Sequence, residues 1–231
     1  MDELASAPFW LSIGKIAWID VLLSGDNAVV IALAARNLPA ERQRQAVLLG
    51  SAGAIVLRVI LVFFAVALLT LPWVKLVGAL LLLWIGVQLL KGDQAHKKVD
   101  PAADLFAAVR TILVADFVMS LDNVLAVAAI AETAPPGSRL LVLLIGLGLT
   151  SPLIMFGSTL LLRLIGRFPV IVVAGAALLG FVAGEMAASD PVLSDAQPAD
   201  WLPTGLGLAL ALFVVVVGLA WRRIAARSST E

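Results

Sequence analysis

Four aspartates, Asp20, Asp26, Asp116 and Asp122, stand deep inside apolar runs of this 231-residue chain. An acidic side chain at the centre of a membrane helix costs roughly 2.5 to 3.5 kcal/mol, so four left unpaired would cost on the order of 10 kcal/mol. They come in two copies of the pattern D-x-x-x-S-x-D-N, Asp20 to Asn27 and Asp116 to Asn123, at an offset of 96 residues. At about 100° per residue, Asp20, Ser24 and Asn27 share one stripe of a helix, and Asp116, Ser120 and Asn123 share the equivalent stripe. Asp26 and Asp122 lie about 100° off the asparagine end of that stripe and roughly 9 Å along from the first acid in a straight helix, so they need not join the same site. Gly25 is placed to break the first helix and turn Asp26 inward, whereas its counterpart Leu121 gives no such support in the second copy.

Carboxylate, amide and hydroxyl oxygens suit a hard cation such as Mg²⁺, Ca²⁺ or Mn²⁺ better than copper or zinc. With no cysteine in the chain, thiolate ligands and thiol nucleophiles are excluded. Interhelical glue is the bland alternative; it accounts well for a lone Asn or Ser, but poorly for four carboxylates in a duplicated motif. Arg58 lies mid-span in the second apolar run, too far from either end to snorkel, so pairing with one of the aspartates is expected. Glu185, near the end of the sixth run, either faces a pathway or reaches the interface. The single histidine, His96, sits beside Lys97 and Lys98 and reads as a solvated residue rather than a ligand. Gly157, Gly175, Gly180 and Gly184 read as sites of close helix approach, and Trp10, Trp73, Trp201 and Trp221 as interfacial anchors.

The elements that must position these groups are membrane helices. The chain is 61% hydrophobic and only 14% charged, against about 25% charged in an ordinary soluble domain. Sixteen basic residues balance sixteen acidic ones, so there is no net positive field for nucleic acid. Runs able to cross a hydrocarbon core, which takes about 20 residues of helix, are read near Trp10–Ala35, Ala46–Leu71, Trp73–Leu90, Leu105–Ala131, Arg139–Leu162, Phe168–Ala188 and Pro203–Trp221. The expectation is an all-α polytopic bundle of seven transmembrane helices in a single membrane domain. Asp2 and Glu3 occupy the place where a cleavable signal carries positive charge, so the first run is read as retained.

Basic residues set the expected orientation. Arg36, Arg42, Arg44, Lys91, Lys97, Lys98, Arg110, Arg163, Arg167, Arg222, Arg223 and Arg227 fall on one side of a seven-span chain, and the opposite loops carry chiefly Lys75 and Arg139. By the positive-inside rule the N-terminus is outside and the C-terminus inside. The 96-residue offset also carries Leu48-Leu-Gly50 onto Leu144-Ile-Gly146. Residues 9–91 and 105–188 are therefore read as two copies of a three-span unit, with 203–222 an added helix. Three crossings is an odd number, so the second copy enters from the opposite side, as in transporters whose sites lie near the midplane.

The segments IDVLLSGDNAVVIALAARNLP and ADFVMSLDNVLAVAAIAE, with LLLWIGVQLL and LLGFVAGEM, resemble TerC family integral membrane proteins, of the short seven-span type, over nearly the whole chain. The resemblance implies manganese export across the bacterial cytoplasmic (inner) membrane and, in some members, manganese supply to secreted enzymes. Asp20, Ser24, Asp26 and Asn27 match the first family motif, and Asp116, Ser120, Asp122 and Asn123 the second. The expected activity is secondary transport of Mn²⁺ in exchange for protons through a midplane site, not an enzymatic reaction. No G-x-x-x-x-G-K-[ST] loop is present to suggest ATP hydrolysis. Four ionised aspartates with Arg58 leave an excess of negative charge that a divalent ion or protons would relieve. Ca²⁺ or Mg²⁺ as cargo, a membrane scaffold that assists metalation of secreted proteins, and export of a small organic solute stay open as alternatives. Oligomeric state is not legible. Tags at the C-terminus and near His96 are expected to report cytoplasm and a tag near Asp195 the outside; a cytoplasmic signal near Asp195 would refute the inverted arrangement.

Overall fold

The computed structural model describes residues 6–69, 71–91, 101–194 and 200–228. His96 and Asp195 lie outside the described residues. Every regular element among those described is helical: α1 (Ala7–Leu23), α2 (Gly25–Ala35), α3 (Ala40–Leu69), α4 (Val74–Lys91), α5 (Pro101–Glu132), α6 (Arg139–Arg167), α7 (Val170–Ala188), the short α8 (Pro191–Ser194) and α9 (Leu202–Ser228), with a 3-10 turn at Pro136–Ser138. Six of these helices are long and apolar enough to cross a membrane. The bent pair α1 and α2 makes a seventh span if it is counted as one.

Boundaries follow local chemistry. Ser6 caps α1, its hydroxyl accepting the Phe9 N–H at 3.4 Å. Phe168-Pro169 ends α6 and starts α7, because the residue before a proline is pushed out of helical conformation. Within the expected first span the helix breaks at Ser24, and α1 and α2 diverge by 56°. α5 runs through the second copy of the motif without interruption. The break thus occurs where Gly25 stands and not where Leu121 stands, since glycine tolerates the loss of regular geometry at least steric cost.

The packing recurs at the offset seen in the sequence. α3 lies chiefly along α5, while α6 lies along α1 and α2, and α4 packs on α7. A Cβ on Gly50 would come within 2.8 Å of Ile112, and one on Gly146 within 2.7 Å of Ile16. These two contacts are one pair displaced by 96 residues. α9 lies along α7, close enough that a Cβ on Gly180 would meet the Leu210 carbonyl at 2.6 Å. Large apolar side chains such as Trp18, Phe63, Phe156 and Leu208 are exposed on the outside of the bundle, as lipid contact requires. Trp10, Trp73, Trp201 and Trp221 are exposed near helix ends.

The start of α4 is held by a distant carboxylate. Trp73 adopts a left-handed backbone conformation with φ of 72°. Asp190, fully buried, accepts the N–H groups of Trp73 and Leu76 at 3.2 Å each and that of Val192 at 3.0 Å. Burial pushes the Asp190 pKa up, but the backbone N–H groups of Val192, Trp73, Leu76 and Lys75 outweigh it and hold the pKa below the ordinary carboxylate value. A depressed folded pKa gives stability that is present above the unfolded value and lost as pH falls through the folded one. Asp190→Ala is expected to lower stability by about 1 to 3 kcal/mol at neutral pH, and the gap to wild type is expected to close only at strongly acidic pH. Thermal melts of the two purified proteins across pH check both the size and the sign.

Candidate functional site

The polar centre forms where α1, α3, α5 and α6 meet. Steps of four residues put Ser24 one turn from Asp20, with the Ser24 hydroxyl donating to Asp20 Oδ1 at 3.0 Å. The same step places Ser120 over Asp116, at 3.4 Å from Oδ2. Arg58 of α3 lies between the two pairs and is engaged by both. Its Nη1 donates to Asp20 and, at 2.9 Å, to Ser24 Oγ; its Nε donates to Ser120 Oγ at 3.2 Å and its Nη2 to Asp116 Oδ1 at 2.7 Å. Arg58, Asp20 and Asp116 are all buried. Their formal charges sum to −1, so the arginine neutralises only one of the two acids.

Thr150 of α6 completes the centre and was not legible as a site residue. Its hydroxyl is in hydrogen-bonding reach of Asp20 Oδ2 and, at 2.8 Å, of the Leu147 carbonyl. The available signal was a Thr-Ser pair beside Pro152, one of two hydroxyl pairs in this span with Ser158-Thr159. A cavity of about 20 Å³, room for one water-sized occupant, opens beside Arg58. Its walls come largely from positions 96 residues apart: Asp20 and Asp116, Ser51 and Leu147, Ala54 and Thr150, Ile55 and Ser151, Arg58 and Ile154, with Asn27 and Ile31. The buried Asn27 amide and Ser51 hydroxyl have no hydrogen-bond partner. Unpaired polar groups in such a place cost about 1 to 3 kcal/mol each unless water or an ion meets them.

The four aspartates do not converge. Among the described residues no group of three or more His, Cys, Asp or Glu side chains stands ready to hold a metal ion. Asp26 lies in the first turn of α2, where its Oδ1 accepts the Asn27 N–H at 2.8 Å and its charge faces the positive end of the helix dipole. Asp122 sits six residues beyond Asp116 on α5, on a different face, and pairs with Lys75 of α4, Nζ to Oδ1 2.5 Å. Asn123 does not reach the cavity; its amide donates to the Leu23 carbonyl at 3.2 Å, a group left free by the break after α1. One copy of the motif therefore stabilises the broken helix of the other. Glu185 is exposed on α7 and lines no part of the cavity.

The profile of the integral membrane protein TerC family matches residues 5–229. The chain belongs to that family. It is 38% identical to the Bacillus subtilis membrane protein YjbE over 94% of this chain and 97% of the relative. It is 30% identical to the B. subtilis membrane protein YceF over 81% of this chain and 75% of that protein. With the Escherichia coli K12 inner membrane protein YgdQ it shares 25% identity over 53% of this chain and 60% of the relative. No solved structure matches the chain. It is thus a multi-pass integral membrane protein, embedded in a lipid bilayer.

Removing one partner from a buried ion pair costs roughly 3 to 5 kcal/mol, because the remaining charge is stranded. Arg58→Met is expected to destabilise the protein by about that amount. Adding Asp20→Asn and Asp116→Asn to it should restore most of the loss, since no buried charge then lacks a partner. Unfolding of the two variants in detergent distinguishes this coupling from simple loss of packing, in which the triple variant would be the weaker protein.

Proposed function

We propose that this TerC family protein is a secondary transporter that exports Mn²⁺ from the cytoplasm in exchange for protons. The supporting observation is the centre itself: two carboxylates from the two copies of one motif, beside an amide and a hydroxyl that lack partners, around a cavity of ion size. Two carboxylates with amide and hydroxyl oxygens make a hard donor set, suited to a hydrated or partly dehydrated divalent ion. A cavity this small in an apolar bundle argues against an organic solute as cargo. In this reading the two three-span units are inverted copies, the N-terminus is outside, and the protein resides in the bacterial cytoplasmic membrane. The recurrence of helix contacts at the sequence offset supports the first point, and the likeness to YgdQ, an inner membrane protein, supports the last.

Charge accounting supports exchange. The four aspartates with Arg58 and Lys75 sum to −2, which one divalent ion cancels. When the ion leaves toward the outside, two protons restore the same balance in a medium where uncompensated charge is costly. Arg58 gives up part of its hold as metal enters, because Asp20 and Asp116 have every carboxylate oxygen already engaged by Arg58, Ser24, Ser120 or Thr150. In the inverted arrangement Asp26 follows Asp20 toward the inside and Asp122 follows Asp116 toward the outside, so the two serve as the entry and exit carboxylates. The helix break at Ser24 frees backbone groups beside the path, a feature shared with transporters that bind ions at discontinuous helices.

Purified protein in liposomes is expected to carry Mn²⁺ and to move protons the other way. Asp20→Asn and Asp116→Asn should abolish flux, and Asp26→Asn and Asp122→Asn should reduce it by about tenfold or more, with all four variants inserted. Calorimetry of Mn²⁺ binding in two buffers of different ionisation enthalpy counts the protons released, for which the expected value is near two. Binding with no proton release between mildly acidic and mildly alkaline pH would overturn exchange. Binding without flux would leave a metal-delivering scaffold as the function.

A further inference from the structure

The second aspartates of the two motif copies have different partners, Lys75 for Asp122 and the Asn27 N–H for Asp26. We propose that Lys75 is a tethered cation that occupies the place on Asp122 where a metal ion would bind, so that the α4 entrance presents a weaker metal site than the opposite end. The inference rests on the transport reading above and assigns it a residue that sets what each face of the membrane meets.

Lys75 Nζ lies 2.5 Å from Asp122 Oδ1 and 3.2 Å from Ser189 Oγ. The lysine side chain is 13% exposed, whereas the aspartate side chain is 47% exposed. The acid is therefore half-exposed at its end of the bundle while the ammonium approaches from the protein side. A second neighbour at Ser189 gives the ammonium somewhere to go. When a divalent ion takes Asp122, Lys75 keeps its hydrogen bond to Ser189 Oγ, so one donor of the displaced ammonium stays satisfied. The post on which it pivots is rigid, since Asp190 binds the backbone N–H groups of Trp73 and Leu76 on either side of it.

The opposite end lacks this device. Asp26 is the counterpart of Asp122 in the duplicated motif, and the position 96 residues beyond Lys75 is Ile171. Among the described residues no ion pair reaches Asp26, whose Oδ1 instead accepts the Asn27 N–H. A structural latch would be expected in both copies of a symmetric scaffold; a cation in only one makes the faces different. In the N-out orientation the weakened site is the external one, which lets exported metal leave and resists its return. The equilibrium gradient is untouched, because Lys75 alters the concentration that half-saturates the outer face and not the driving force.

The test compares Mn²⁺ uptake into right-side-out and everted membrane vesicles. Lys75→Gln is expected to lower the half-saturating Mn²⁺ concentration at the outer face by about tenfold, leave the inner face within about twofold, and lose the gain again when combined with Asp122→Asn. Lys75→Arg should resemble wild type. An unchanged outer face, or equal changes at both faces, would overturn the proposal in favour of a purely structural pair. Ser189→Ala provides a second variant should Lys75→Gln fail to insert; without the alternative partner for the ammonium, the outer half-saturating concentration should rise, and no change would count against the proposal. Absence of Mn²⁺ flux in wild-type vesicles would remove the transport reading instead. Electron paramagnetic resonance of Mn²⁺ with purified full-length protein then decides the inference separately: Lys75→Gln should bind more Mn²⁺ at low concentration than wild type, and equal binding would overturn it.

Discussion

A single guanidinium shared by two carboxylates is the constraint on which the rest of the bundle depends. Arg58 cannot be left unpaired in an apolar interior, and neither Asp20 nor Asp116 can, so α1, α3 and α5 must meet at one level. The planar fork of arginine has enough donors to engage a carboxylate and a hydroxyl from each copy of the motif at once, which a lysine ammonium at the same point would do with less directional control. Helix packing elsewhere is accommodating by comparison. Small residues at Gly50, Gly146, Gly180 and Gly184 let helices approach wherever that meeting requires them to be.

The arrangement also separates two roles that look alike in the motif. Asp20 and Asp116 lie on the stripe that turns toward Arg58. Asp26 and Asp122 lie off it, one satisfied by the N-terminus of α2 and the other by Lys75. The paired asparagines diverge as well: Asn27 lines the cavity with its amide unsatisfied, whereas Asn123 hydrogen-bonds a carbonyl released by the broken helix. The positions 96 residues apart differ at 58 and 154, at 54 and 150, and at 75 and 171, and the first two of these pairs line the cavity.

Much of this was legible in the sequence. Charge burial in apolar runs named the four aspartates and demanded a partner for Arg58, because membrane insertion makes each uncompensated charge costly. Length and hydropathy of the runs gave the helical class, and glycine against leucine at positions 25 and 121 told which copy breaks. Helical periodicity also separated the Asp20 and Asp116 stripes from Asp26 and Asp122, since angular position along one helix is a local property.

Which groups meet across helices was decided only by tertiary structure. Periodicity within a span cannot tell which neighbour a stripe faces, so Arg58 was expected to reach one aspartate and reaches both. Thr150 and Ser51 carried no signal beyond a hydroxyl in an apolar run, and gain meaning only from facing the same cavity as Asp20 and Asn27. Lys75 read as a loop charge, yet the Asp190 clamp on the first turn of α4 directs it against Asp122. An amino-acid sequence records the cost of burying a charge at each position; the partner that offsets it is chosen by how separate helices pack.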